Sequence, residues 1–202
     1  MISGFNLVRI SYDHILWPAV TELIRSAYHE HHQARLRSLP RSFVALVGPG
    51  ERVQCAAGLR DSTEPFLSES YLDQSIETVL AQATEMTVER REIVEVSGLA
   101  CRSQIRLVAF LRELIRYGGS LGFNWAFFTA TDQIQKILRR IELPLIELGM
   151  ARRDRIAVPE LWGSYYESQP QVFAIGRHEL GRFLYGSPRT PRKDGQSCPP
   201  LA

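Results

Sequence analysis

The chain has 202 residues, 45% hydrophobic and 23% charged, with a formal net charge of +2. That usage fits one globular domain and excludes disordered, collagen-like and disulfide-stapled classes. The longest run without Asp, Glu, Lys or Arg extends from Tyr117 to Thr131, too short for the roughly 20 apolar residues of a spanning helix.

In chain order, Phe5–Ile10 reads as a first strand. Trp17, Val20, Leu23, Ile24, Ala27 and Tyr28 recur at helical spacing, which predicts a helix to about His31. Ser42–Val47 and Val53–Leu59 flank Gly48-Pro49-Gly50-Glu51 and read as a hairpin. A second helix is expected from about Ser70, with Leu72, Ile76, Val79 and Leu80 on one face. The strand Glu92–Val96 follows, then a loop and a helix from about Ser103 to Tyr117. That helix is expected to bury Ile105, Val108, Leu111, Leu114 and Ile115 and to end at Gly118-Gly119. Next come a strand over Asn124–Thr129, a helix capped by Thr131-Asp132 and running to Arg140, and a short strand over Leu143–Leu148. Val172–Ile175 reads as a last strand and Arg177–Tyr185 as a short helix.

This order argues an α/β (α+β mixed) fold, a central mixed sheet flanked by helices in three layers. Residues 1–186 are expected to form a single domain. Residues 187–202 carry four prolines and few apolar side chains and are expected to be a disordered tail. No basic segment followed by an apolar core opens the chain, so a cytoplasmic location is expected.

Three cysteines at wide spacing, Cys55, Cys101 and Cys198, suggest neither a disulfide framework nor a zinc site. Cys55 reads as core; Cys101, just before a helix, is a candidate acyl-Cys nucleophile. His29-Glu30-His31-His32 reads as a solvated helix end, because adjacent histidines point to different faces; no metal is expected. Of the basic residues all but Lys136 and Lys193 are arginine. A GC-rich codon bias is one reading of that, and phosphate and carboxylate recognition, which arginine's fork suits, is the other.

Two consecutive strand-to-helix passages, near Glu95–Ser103 and Thr129–Asp132, are expected to lie side by side. They would open a crevice at their C-terminal ends, with helix N-termini facing it. In Ile93-Val94-Glu95-Val96-Ser97-Gly98-Leu99-Ala100-Cys101-Arg102-Ser103 one carboxylate stands inside an apolar strand, ahead of a glycine turn and a helix carrying Arg102 and Arg106. Burial would raise the Glu95 pKa and an arginine would lower it. The alternative is a Glu on the open face of a half-buried strand.

The segment Glu95-Val96-Ser97 after an apolar strand, with Leu138-Arg139-Arg140-Ile141, resembles the acyl-homoserine-lactone synthases and the wider GNAT acyltransferase fold. A closer resemblance is to the thermostable haemolysin family. It is carried by Gly58-Leu59-Arg60, the run Phe66 to Glu77, Ile93 to Ala100, Trp125 to Thr131, and Trp162-Gly163-Ser164-Tyr165-Tyr166 with Pro170-Gln171-Val172. Gly98 stands where autoinducer synthases carry an arginine, and no glycine-rich phosphate loop is present.

The resemblance implies a GNAT-like N-acyltransferase. It would move an acyl group from a phosphopantetheine thioester, on coenzyme A (acyl-CoA) or an acidic acyl carrier protein, to a small amine acceptor. Glu95 and Ser97 would be catalytic. Arg102, Ser103 and Arg106 would hold the donor, and Arg60, Trp162, Tyr165 and Tyr166 would shape the acceptor side. No tightly bound cofactor and no nucleic-acid partner are expected. The alternatives are a haemolytic, membrane-active protein, against which stands the lack of a lysine-rich amphipathic face, and a non-catalytic acyl-carrier-binding domain of the same fold.

Overall fold

A computed structural model describes residues 4–185; the expected tail lies outside them. Seven strands, β1 (Asn6–Ser11), β2 (Ser42–Gly48), β3 (Arg52–Arg60), β4 (Ile93–Cys101), β5 (Trp125–Ala130), β6 (Ile146–Met150) and β7 (Gln171–Gly176), form one sheet. Its order is β1-β2-β3-β4-β5-β7-β6. All neighbours run antiparallel except β4 and β5, which are parallel.

Among the described residues five helices cover the sheet: α1 (Trp17–His32), α2 (Ile76–Thr84), α3 (Gln104–Ser120), α4 (Asp132–Arg140) and α5 (Gly181–Tyr185). Alternation along the strands separates the faces. Phe43, Ala45 and Val47 of β2 pack with α1, whereas Val44 and Leu46 pack with Phe110 and Leu114 of α3. Likewise Trp125 and Phe127 of β5 meet Ile76 and Leu80 of α2, while Ala130 faces Leu107, Leu111 and Leu138 of α3 and α4. The expected three-layer mixed α/β architecture is therefore present, with α1 and α2 on one face and α3 to α5 on the other.

Several local expectations are corrected. The second helix begins at Ile76, not near Ser70; residues 68–71 form a separate 3-10 turn. Glu69 explains the break. Its carboxylate accepts the Ile76 N–H at 2.9 Å and the Arg90 guanidinium at 2.7 and 2.8 Å, so the chain kinks around that ion pair. Arg90 holds the Glu69 carboxyl below the usual carboxylate range.

Helix α3 continues through Gly118 and Gly119 to Ser120. Ile105 on its first turn is 87% exposed, and the buried stripe is Leu107, Phe110, Leu111 and Leu114. Leu111 and Leu114 are buried as expected, whereas Leu107 and Phe110 take the places expected of Ile105 and Val108. Thr131 is the N-cap residue of α4, but its side chain makes no capping hydrogen bond. Cys55 and Cys101 oppose each other across β3 and β4 and form a disulfide, their Cα atoms 4.0 Å apart. The register of the sheet makes this pair, and linear spacing carried no sign of it. With its sulfur bonded, Cys101 is not a free thiolate nucleophile in this state.

Among the described residues no helix is long and apolar enough to cross a membrane.

Candidate active site

The parallel pairing of β4 with β5 spans only Ile93–Glu95 against Trp125–Phe127. Beyond Glu95 the two strands part. Two features of β4 steer it away. One extra residue on β4 shifts the register to β3 between the pairs Ala56–Ala100 and Gly58–Ser97, and Gly98 adopts φ +59° within that bulge. Glycine takes this left-handed conformation without steric cost, and a bulge bends the strand that carries it.

The opened pair bounds a cavity of about 440 Å³. Its inner wall is apolar and includes Leu111, Ile115, Ala126, Phe128, Leu138 and Ile175 from α3, β5, α4 and β7. The run Val96 to Gln104 lines one side continuously and leads into the N-terminus of α3. Tyr28, His31, His32, Trp162 and Tyr165 line the wall on the α1 face of the sheet.

Glu95 is fully enclosed at the point where the strands diverge, so the open-face reading of this residue does not apply. One carboxylate oxygen accepts the Leu67 N–H and the other the Ser68 N–H, both at 2.7 Å. Arg60, paired with it across β3 and β4, approaches at 3.5 Å. Arg60 donates a shorter bond, 2.8 Å, from the same nitrogen to Ser97 Oγ. Ser68 in turn accepts from Thr129 Oγ1 of β5 at 2.9 Å. The 67–68 turn is thus tied to both lips of the crevice, to β4 through Glu95 and to β5 through Thr129.

The aromatic end is built from three segments distant in sequence. Tyr28 stacks on Tyr165 with centroids 6.2 Å apart, Trp162 lies 5.1 Å from Tyr165, and His32 meets Tyr165 edge-on at 5.2 Å. Gly163 makes the approach feasible. It sits at φ +53°, and a Cβ there would fall 2.0 Å from the His32 carbonyl oxygen, which accepts the Ser164 N–H at 2.8 Å. Burial pushes the Tyr28 phenol up to about 12 and raises Tyr165 well above its ordinary value. Burial, with His31 beside it, holds the His32 imidazole below its ordinary value, so it is neutral near pH 7.

Of the candidate residues, Arg60, Ser97, Arg102, Ser103, Trp162 and Tyr165 line the cavity, and Glu95 and Arg106 are not on its wall. Tyr166 is not on it. It supports Tyr71 from behind, their hydroxyls 2.8 Å apart. Arg102 and Arg106 both reach back to β3: Arg102 Nε donates to the Val53 carbonyl at 3.1 Å and Arg106 to Gln54 Oε1 at 2.6 Å. In sequence they flank Ser103, the N-cap residue of α3, which caps no N–H with its own side chain.

Tyr28 and His32 are the wall residues that sequence reasoning missed. Their signal was the four-residue spacing that puts both on one helix face. Among the described residues no group of three or more His, Cys, Asp or Glu is arranged to hold a metal ion.

Residues 10–180 match a family model described as thermostable hemolysin. No curated protein matches the sequence. Among solved structures the chain is similar to the AHL synthase LasI, with TM-score 0.62 and 14% identity over 90% of this chain and 94% of that one. It is also similar to FeeM, an N-acyl amino acid synthase from uncultured soil microbes, with TM-score 0.57 and 12% identity over 87% and 93% of the two chains. A GCN5-related N-acetyltransferase from Kribbella flavida matches with TM-score 0.50 and 11% identity over 84% and 97%. These likenesses establish a GNAT-like fold.

Proposed function

The chain belongs to the thermostable hemolysin family, and we propose that it is an N-acyltransferase taking an acyl group from a phosphopantetheine thioester to a small amine. The observation that carries this reading is the cavity at the β4–β5 divergence. It joins an apolar chamber, a stretch of β4 backbone left unpaired on its β5 side, and a helix N-terminus with Arg102 beside it, all lining the same space. That combination matches the three parts of an acyl thioester. The acyl chain would lie against Ala126, Phe128 and Leu138. The thioester carbonyl would sit by Val96 to Ala100, whose backbone N–H groups supply an oxyanion site. The donor's phosphates would meet the α3 N-terminus with Ser103, Arg102 and Arg106.

Catalysis in this scheme is mainly positioning of the amine against the thioester carbonyl. Both Glu95 oxygens already accept a backbone N–H, which favours an anchoring role for Glu95 over direct proton abstraction. Ser97 would hold Arg60 in place. Neutral His32 on the cavity wall is the group we assign to accept the amine's proton. The donor is acyl-CoA or an acyl carrier protein; the latter would use the same arginines as a docking patch.

The test is donor affinity of the Arg102→Ala/Arg106→Ala variant. Loss of two charge-assisted contacts should weaken acyl-CoA binding by about 2–4 kcal/mol. Unchanged affinity for every thioester donor, measured by titration calorimetry, would reject this donor site. Weakening for acyl carrier protein alone would mark the pair as a docking patch.

A further inference from the structure

Arg60 is only 8% exposed, yet its hydrogen bonds use one nitrogen. Nη1 serves both Ser97 and Glu95. Among the described residues nothing accepts from its Nε or Nη2. Every buried side-chain nitrogen and oxygen among those residues has a partner, so these two donors reach accessible space, and the accessible space against Arg60 is the cavity. Its one acidic partner is held loosely, at 3.5 Å, and already accepts two backbone N–H groups. A guanidinium this buried, with so little compensation, leaves a positive site beside the opening of the strands.

The rest of the wall agrees in sign. Among the described residues Arg102 and Arg177 contribute to it, and no Asp or Glu does. The aromatic end adjoins this point, since the 3-10 turn whose Ser68 N–H binds Glu95 also carries Tyr71, whose hydroxyl lies 2.8 Å from that of Tyr166, the ring beside Tyr165.

We infer that the acceptor is an amine that also bears a carboxylate, of the α-amino-acid type, with its carboxylate on Nε and Nη2 of Arg60 and its side chain against Tyr28, Trp162 and Tyr165. The inference rests on the acyltransferase reading above and supplies its substrate class. An arginine fork matches a carboxylate with two parallel hydrogen bonds, whereas an acceptor with a net positive charge would meet no counter-charge on this wall.

The transfer balances without a further reagent. The ammonium gives one proton to His32 or water, and the free amine attacks the thioester carbonyl carbon. The carbon–nitrogen bond forms, the carbon–sulfur bond breaks, and the second amine proton leaves with the sulfur as the pantetheine thiol. The product is an N-acyl amino acid.

The test uses a matched pair of product-like probes, N-octanoyl-phenylalanine and N-octanoyl-phenethylamine, which differ only by the carboxylate. Titration of the purified full chain should give an affinity at least tenfold higher for the carboxylate probe, a preference that rising salt reduces. Arg60→Lys should reduce it to within about threefold. The wild-type comparison stands whether or not that variant folds. Equal affinity of the two probes, or a preference for the phenethylamide, overturns the inference. Turnover is scored separately. Equal probe affinity with amine-dependent thiol release would remove the amino-acid acceptor and keep the transferase. Carboxylate preference without thiol release would keep the ligand class and remove the transfer.

Discussion

Glu95→Gln is expected to lower the melting temperature by about 6–12 °C and to change turnover per folded molecule less than tenfold. The side-chain amide can accept only one of the two N–H groups now bound, from Leu67 and Ser68. Its own NH₂ then faces the other donor, and Arg60 loses its counter-charge. Breaking a buried, charge-assisted set of this kind costs about 3 kcal/mol, and in a domain of this size each kcal/mol is worth about 2–4 °C. A general base would behave in the opposite way, with a rate loss of about 10²–10⁴-fold and little change in stability. Thermal unfolding beside single-turnover rates separates the two. A large rate loss at unchanged melting temperature would make Glu95 the base and remove the anchoring role.

Ala126→Phe is expected to change acyl-chain selectivity more than any other single substitution in the chamber. Ala126 stands in mid-strand between Val94 of β4 and Ile175 of β7 and contributes to the apolar wall. A phenyl group there would displace about four methylenes of a long chain. At about 0.8 kcal/mol each, that is roughly 3 kcal/mol, a few hundredfold in kcat/KM. Acetyl to butyryl donors should stay within about threefold of wild type. Competition between octanoyl and acetyl thioesters reads the ratio directly. An unchanged ratio would place the acyl chain elsewhere.

Much of the frame was legible because its signals are local. The apolar runs at Ile93–Val96 and Asn124–Thr129, each followed by a helix start, sufficed to foresee adjacent strands that part at their ends, and the strands pair only as far as Glu95 and Phe127. What escaped was set by contacts distant in sequence. The Leu67 and Ser68 amides that enclose Glu95 lie 28 and 27 residues away from it, and no local pattern announces them. Tyr28 and His32 join Tyr165 only because the Gly163 turn passes over the end of α1. Cys55 and Cys101 meet through the β3–β4 register. Ile105 was misjudged because its neighbours Gln104 and Arg106 leave the apolar stripe of α3 undefined until Leu107.

The resemblance at Glu95-Val96-Ser97 points to the stretch of β4 where it parts from β5. The partners of these residues give them a different emphasis: Ser97 and Glu95 both hold Arg60, and the accessible donors belong to the arginine. A buried charge with two free donor nitrogens is a stronger pointer to a ligand than the carboxylate that anchors it.

The central claim is acyl transfer from a thioester to an amine, and the most direct measurement is amine-dependent release of free thiol from octanoyl-CoA and octanoyl-acyl carrier protein by the purified chain, with the product identified by mass. The account predicts stoichiometric thiol and N-octanoyl amide with at least one donor, both abolished when the amine is omitted. Absence of amine-dependent thiol release from both donors, with leakage of phospholipid vesicles by the same preparation, would contradict it and return the protein to a membrane-active role.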